Sequence, residues 1–238
     1  MKILKIILLI LIVNFSILLP EAKAQKHVEN LPKYDFKKYH FGFTLGFNEM
    51  NFVVKPAKDL EQFDTLLVIE SVPDYGFNIG IVSSVRLFEY LDLRFVPTLS
   101  FGDRIIEYSL LVNETEIVKQ QKRTETTNID FPLTLKYKSK RLTNTRAYVV
   151  GGIRYSIDLA SQYKKKANEQ DVLVKLYQSD YSFEVGAGFD FFLQYFKFGI
   201  EIKMIYGIRD LLKREDNIYT QSIDKLSSKI FWLTFTFE

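Results

Sequence analysis

Apolar and polar residues alternate with a period of two along most of this chain. The clearest segment runs from Tyr75 to Phe101 and contains two alternating runs around a turn at Phe88 and Glu89. Strict alternation places the apolar side chains on one face of a β-strand and the polar ones on the other. Because the polar parity carries full charges and glycines while the apolar parity is nearly continuous, this hairpin predicts a wall between lipid and a polar lumen.

The same alternation predicts eight strands. They cover residues 40–54, 75–87, 90–101, 126–137, 146–158, 180–191, 195–207 and 229–238. A parity change inside the first strand moves the apolar positions from Phe47 to Met50, which predicts a β-bulge. Pro97 and Pro132 lie in neighbouring strands at similar heights, and we interpret them as one shared bulge, because neither can donate a ladder hydrogen bond.

The connections between these strands alternate in length. Four are long, covering residues 55–74, 102–125, 159–179 and 208–228, and the others are short. Outer-membrane barrels have short periplasmic turns and long outside loops. We therefore predict an all-β fold, an eight-stranded antiparallel transmembrane β-barrel of the outer-membrane type over residues 39–238, with both chain ends periplasmic. The alternative is a soluble lipocalin-like barrel or sandwich.

The start of the chain has the three parts of a secretory signal peptide. Lys2 and Lys5 precede an apolar run, and an A-x-A site ends at Ala24. We expect cleavage between Ala24 and Gln25, which makes residues 1–24 the signal peptide and residues 25–38 a periplasmic lead-in. An uncleaved membrane anchor is the alternative, although the apolar run is short for a span of about 20 residues.

Composition excludes several classes of function. The chain has no cysteine, which excludes disulfides, thiolate metal sites and a cysteine nucleophile, and it has only two histidines, His27 and His40. Removing residues 1–24 takes away three of the 32 basic and one of the 29 acidic residues, so the mature chain is nearly neutral. We expect no cofactor, no nucleic acid and no small-molecule substrate; outer-membrane lipid is the expected surrounding.

The inward parity of the predicted strands carries nine charged residues. An eight-stranded barrel is narrow enough to be filled by its own side chains, so buried charges there must pair. We interpret the set as a structural network in the lumen. Its members are Arg86, Asp92, Arg94, Asp130, Arg154, Glu184, Asp190, Glu201 and Lys203.

An enzymatic site would need acid and base groups near the outer rim. His40 falls at the periplasmic start of the first strand, far from that rim, whereas Asp103, Arg104 and Glu107 lie near it. Ordinary ion pairs explain these three residues equally well. We therefore expect no enzymatic activity and assign no catalytic or metal-binding residue; a barrel enzyme remains an alternative.

Three stretches of the chain resemble the PorT family of Bacteroidota outer-membrane β-barrel proteins. They are HFGFTLGFNEMNF (40–52), GFNIGIVSSVRLFEYLDLRFVPTLSFGDRIIEY (76–108) and FDFFLQYFKFGIEIKMIYGIRDLL (189–212). The resemblance implies a non-enzymatic accessory role in the type IX secretion system, with other secretion-system proteins as partners. A general small surface barrel for adhesion or envelope integrity is the alternative function.

Overall fold

The computed structural model describes residues 28–57, 66–112, 116–160, 175–215 and 218–238. The predicted signal peptide, its cleavage site at Ala24 and Gln25, and His27 lie outside these residues. Within them, the chain forms a 3₁₀ turn (Tyr34–Phe36), a short helix α1 (Ile218–Gln221) and ten strands. The strands are β1 (Tyr39–Pro56), β2 (Leu66–Val72), β3 (Asp74–Arg86), β4 (Leu91–Phe95), β5 (Thr98–Val112), β6 (Glu116–Lys138), β7 (Thr145–Asp158), β8 (Ser179–Phe192), β9 (Lys197–Gly207) and β10 (Ile223–Phe237).

The strands form one antiparallel sheet that closes into a ring. β1 pairs with β3 on one side and with β10 on the other, so the first and last strands complete the wall. From β10 the order continues through β9, β8, β7 and β6. β4 and β5 follow each other along one line between β3 and β6, and β2 extends the line of β3 beyond Pro73. The ring therefore has eight strand positions, and the predicted antiparallel barrel is confirmed.

The two ends of the ring differ in their connections. At one end, here called the short-turn end, residues 87–90, 139–144 and 193–196 join neighbouring strands, and Glu238 lies beside the start of β9. The opposite end, here called the long-loop end, carries β2, α1, the end of β5 and the start of β6. In the described part of the chain, no helix has the length and apolar composition that a membrane crossing requires.

Strand pairing at the long-loop end extends beyond the predicted strands. β5 and β6 pair without interruption from Thr98 and Asp130 to Val112 and Glu116, so the described part of the predicted loop 102–125 forms two paired strands of a projecting hairpin. β2 occupies part of the predicted loop 55–74, and β10 begins inside the predicted loop 208–228. Apolar alternation is weak here although backbone pairing continues. Hydrophobic periodicity therefore follows the lipid-facing wall and underestimates the length of the strands.

The proline hypothesis is right about the position and wrong about the bulge. Pairing with β3 and with β6 stops at Phe95 and resumes at Thr98, and the register is the same on both sides of the gap. Val96 and Pro132 meet across this gap, where the Val96 amide donates to the Pro132 carbonyl at 3.4 Å. The missing proline donors thus interrupt the ladder locally without adding a residue.

The predicted bulge in β1 is absent as well. β1 keeps one register with β3 throughout and with β10 as far as Lys55. Met50 and Phe52 instead point into the barrel, where they are 0% and 5% exposed. The parity change therefore marks a change in the inward-facing residues of β1, which are polar in the middle of the barrel and apolar towards the long-loop end.

An apolar core fills the interior at the long-loop end. Side chains from β1, β2, β5 and β10 meet segments that precede α1 and β8. Its buried members are Phe52, Ile69, Ile106, Tyr108, Leu176, Leu211, Leu212, Ile223 and Leu226. Below it, a second cluster groups Met50, Ile205, Ile230 and Trp232. The outer surface shows the reverse of a soluble protein, because Phe41, Phe47 and many similar outward side chains are exposed.

Close packing of strands in this ring predicts that Gly80 resists substitution. A Cβ added at Gly80 would lie 2.6 Å from the Thr98 hydroxyl and 2.9 Å from the Pro97 carbonyl oxygen, whereas one at Gly151 would meet its nearest atom at 4.0 Å. We expect Gly80→Ala to lower the free energy of unfolding by about 1–3 kcal/mol. The matched variant Gly151→Ala should leave it unchanged or raise it slightly. Urea titration of the refolded barrel, followed by its heat-modifiable gel mobility, measures both; equal midpoints would contradict this packing.

Candidate functional site

The lumen of the barrel contains most of the charged residues expected there. Eight of the nine are buried inside the ring: Asp92, Arg94, Asp130, Arg154, Glu184, Asp190, Glu201 and Lys203. Arg86 is different, because it lies half-buried at the short-turn end. Its guanidinium donates hydrogen bonds to the carbonyl oxygens of Asp35 and Phe88 and has no carboxylate partner among the described residues.

Eight buried charges form one continuous chain of alternating sign. In order they are Lys136, Asp190, Lys197, Glu238, Arg94, Glu201, Lys203 and Glu184. The distances between successive nitrogen and oxygen atoms run from 2.8 to 4.0 Å. Four cations therefore neutralise four carboxylates, and each internal member contacts opposite charge on both sides. This arrangement offsets the cost of removing these groups from water.

Two further pairs lie beside this chain. Lys138 donates to Asp92 at 2.6 Å, close to the short-turn end. Arg154 lies 3.6 Å from Asp130, whose two carboxylate oxygens accept hydrogen bonds from Ser100 and Ser156 at 2.7 and 2.6 Å. The two serine hydroxyls thus supply the hydrogen bonds that the Asp130 carboxylate does not receive from Arg154.

Trp232 lies between the ion-pair chain in the middle of the lumen and the residues nearer the long-loop end. The Arg154 guanidinium and the Lys203 ammonium lie 5.1 and 5.0 Å from the Trp232 ring centroid, a distance at which cation–π attraction operates. Beyond this ring, a polar cavity of about 20 Å³ lies beside Arg104 and Asp180, which is the size of a single water molecule. Side chains thus occupy the lumen from one end towards the other.

The lead-in folds back into the short-turn end of the barrel. The Tyr34 hydroxyl donates to Glu238 at 2.8 Å, and its ring stacks on His40 at 4.1 Å between centroids. Burial raises the pKa of Tyr34, so the phenol remains a hydrogen-bond donor. The Lys197 ammonium lies 4.8 Å from the centre of the same ring. Tyr34 is thereby attached to two neighbouring members in the middle of the buried charge chain, Lys197 and Glu238.

A second anchor of the lead-in is the ion pair between Asp35 and Arg146. The two Arg146 terminal nitrogens donate to the two Asp35 oxygens at 2.9 and 2.6 Å. Burial by itself raises the pKa of Asp35, but the hydrogen bonds and charge of Arg146 outweigh burial and hold that pKa below its usual range. Asn30 adds contacts to Asn144 and to the Phe192 carbonyl oxygen. Together these contacts make residues 28–38 a plug.

Sequence reasoning missed several members of this site. Lys136 and Lys197 were recognisable as inward residues of their strands, but Glu238 was identifiable only because it shares the parity of Thr234 and Thr236, which are buried. Nothing in the local sequence indicates that Tyr34 and Asp35 enter the barrel. Their position depends on Arg146 and Glu238, which are more than 100 residues distant.

The residues considered for chemistry near the rim do not converge. Asp103 and Glu107 are on the projecting hairpin, where Asp103 pairs with Arg123 at 2.6 Å and Glu107 pairs with Lys119 at 2.6 Å. Arg104 instead is buried and donates to the Ser228 hydroxyl at 3.1 Å. Among the residues that the structure describes, no group of three or more histidine, aspartate and glutamate side chains is arranged to hold a metal ion.

The charge chain predicts that Arg94→Ala destabilises the barrel. Arg94 connects Glu201 at 3.0 Å with Glu238 at 3.4 Å, and its removal leaves buried carboxylates short of a cation. We expect a loss of about 3–5 kcal/mol in the free energy of unfolding. Arg123→Ala is the control, since Arg123 is 61% exposed and forms only surface pairs; it should cost about 0–1 kcal/mol. Urea unfolding of both variants measures the difference, and similar midpoints would show that the lumen pairs contribute little.

The Asp35–Arg146 pair predicts that docking of the plug depends on pH. Because the pKa of Asp35 is lower in the docked state, its contribution is complete above the ordinary value of 3.8 and is lost as the pH falls through the lowered pKa. Hydrogen exchange of residues 28–38, corrected for intrinsic rates, should be protected at pH 7 and increase below about pH 4. Asp35→Asn should increase exchange at pH 7, with Lys37→Gln as the control. Exchange unchanged by Asp35→Asn would exclude this anchor.

Comparison with known proteins agrees with the observed architecture. The family described as outer membrane protein beta-barrel domain matches residues 23–213, and no curated protein matches the chain. Among solved structures, Neisserial surface protein A is 8% identical (TM-score 0.43; 84% of this chain, 98% of that one), and OprG from Pseudomonas aeruginosa is 12% identical (0.45; 84% and 93%). Ail of Yersinia pestis, solved with the heparin analogue sucrose octasulfate, is 11% identical (0.38; 84% and 99%). The chain belongs to the outer membrane protein beta-barrel domain family.

Proposed function

We propose that this chain is a non-enzymatic outer-membrane barrel that serves type IX protein secretion as an accessory or assembly component. The observation that carries the proposal is the filled interior. Ion pairs occupy the middle of the lumen, Tyr34 enters one end and an apolar core fills the other. A barrel of this kind is unsuited to conducting folded cargo, so its activity depends on the surfaces that it presents to other proteins.

The association with type IX secretion rests on the resemblance to the PorT family. The resemblance supplies the secretion system and the Bacteroidota origin, and the geometry supplies the mode of action through protein contacts. No catalytic residue, cofactor or small-molecule substrate enters this proposal. The expected partners are other proteins of the secretion system, within the lipid of the outer membrane.

In the proposed orientation, the short-turn end and both chain ends face the periplasm. Support comes from the connection lengths, because outer-membrane barrels keep their short turns on that side. The plug then offers a periplasmic contact surface, with Phe36 82% exposed. The projecting β5–β6 hairpin offers an outside surface, on which Ile117 and Val118 are exposed. The described parts of the four connections predicted as loops (residues 55–74, 102–125, 159–179 and 208–228) belong to the long-loop end, which faces outside in this orientation.

The second candidate function is a general surface barrel for adhesion or envelope integrity. The projecting hairpin favours it, because residues 116–127 of β6 pair only with β5 and leave their other edge without a strand partner in the described part of the sheet. An exposed strand edge is a frequent contact element in proteins. A barrel enzyme is a weaker candidate, since the rim residues Asp103 and Glu107 are each engaged in ion pairs.

Deletion of the gene distinguishes these candidates. A type IX accessory protein should leave cargo in the periplasm when it is absent, and the wild-type gene should restore export. Immunoblots of cargo in medium, periplasmic and membrane fractions provide the measurement. Normal export combined with altered surface binding would instead support the adhesion candidate and reject the secretion role.

Complementation with the Arg94→Ala gene is the internal control of that experiment. If the lumen charges are structural, export per folded barrel should equal that of the wild type, even though less barrel is folded. Export lost at an unchanged level of folded protein would show that the buried charges have a direct role in secretion.

A further inference from the structure

An apolar cleft of about 440 Å³ lies in the outward wall near the short-turn end. It is a depression in a surface that is otherwise covered by large apolar side chains. Ala147 on β7 and Ala187 on β8 form its floor, and Tyr137, Phe189 and Ile202 on the adjacent positions form its rims. In the strand register, Ala147 pairs with Phe189 and Ala187 pairs with Ile202. Two small side chains among bulky neighbours thus produce an apolar groove whose lining suits a hydrocarbon chain.

A polar basin of about 450 Å³ adjoins this cleft. Ser139, at the start of the β6–β7 turn, lines both spaces. The basin is lined by four cationic side chains, Arg86, Lys140, Arg141 and Arg146, and by three carboxylates, Glu29, Asp35 and Glu89. An apolar groove that opens at Ser139 into a charged basin matches the two parts of a membrane lipid, its apolar acyl chain and its charged headgroup.

Some of the cations in this basin have no ion-pair partner among the described residues and can bind an anion. Of the four cations, only Arg146 forms an ion pair with a carboxylate among the described residues, and its partner is Asp35 at 2.6 Å. Arg141 donates to the carbonyl oxygens of Thr143 and Asn30 and to the Asn144 side-chain oxygen, and its guanidinium lies 3.8 Å from the centre of the Phe192 ring. No described contact engages the Lys140 ammonium in an ion pair. Asp35 and Glu29 attract Arg141 from a distance, but no carboxylate among the described residues forms an ion pair with it. A phosphate group, which accepts charge-assisted hydrogen bonds, fits this environment.

We propose that the cleft and the basin together bind one anionic phospholipid. Its acyl chain lies over Ala147 and Ala187, and its phosphate lies at Lys140 and Arg141 beside Ser139. The proposal rests on the orientation given above, because the periplasmic leaflet of the outer membrane is the phospholipid leaflet. Basic clusters beside an apolar membrane surface are a recurrent means of recognising lipid phosphates.

Native mass spectrometry of the full folded chain in detergent, titrated with phosphatidylglycerol, tests this site. The wild-type barrel should retain one phosphatidylglycerol and bind phosphatidylethanolamine more weakly. Ala187→Phe, which fills the cleft, and Lys140→Glu, which reverses a basin charge, should each weaken retention by roughly tenfold. Val185→Phe adds the same ring on the same outward strand face outside the cleft, and Lys37→Glu makes the same charge change outside the basin; both should retain the lipid.

Three results would overturn the proposal. Equal retention by all four variants would indicate non-specific annular lipid, and preferential retention of lipopolysaccharide over phosphatidylglycerol would reject the phospholipid. Heat-modifiable gel mobility confirms that each variant is folded; if Ala187→Phe does not fold, Ala187→Leu replaces it. The third result that would overturn the proposal is labelling of Gln194→Cys in intact cells by an impermeant maleimide. Such labelling would place the short-turn end outside the cell, and the cleft would then not face the phospholipid leaflet. The chain has no other cysteine, and the export assay is independent of this label.

Discussion

Backbone hydrogen bonding in lipid is the constraint on which this structure depends. Hydrocarbon offers no partner to an exposed amide or carbonyl, so a membrane sheet has to close on itself. The pairing of β1 with β10 provides that closure through one register from Phe43 to Lys55. The interruption at Pro97 is tolerated because register is maintained on both sides of it, and the strand beyond continues with the same neighbours. A slip of one residue would turn every apolar side chain of a strand into the lumen.

Closure at eight strand positions determines the character of the interior. A ring of this size has room for its own side chains, and the polar parity supplies charges that cannot reach bulk water. Alternation of sign from Lys136 to Glu184 is the arrangement that makes this burial tolerable. Glu238 connects that internal chain to Tyr34, so the same electrostatic network that fills the barrel also fastens the lead-in to its end.

The molecule is therefore polarised along the barrel axis. One end combines short turns, a plug and a basin with excess cations, and the other combines an apolar core with a projecting hairpin. Neither end requires an open lumen. Function at the surfaces, through protein contacts and through a lipid held between wall and turn, is consistent with a lumen whose middle is occupied by ion pairs.

Period-two alternation determined by itself the class of fold, the number of strand positions and which side chains face inward in the polar middle of the barrel, because lipid on one side and a narrow lumen on the other impose opposite polarities on successive residues. It did not reveal where strands extend beyond the lipid, as in β6, since that environment imposes no such contrast. Nor did it identify the inward role of Met50 or the pairing of Arg94 with Glu238. Only the tertiary structure decided these contacts, because they join residues far apart in the chain. Closure of the ring brings Arg94 and Glu238 together, and the lead-in that folds back into the barrel adds Tyr34.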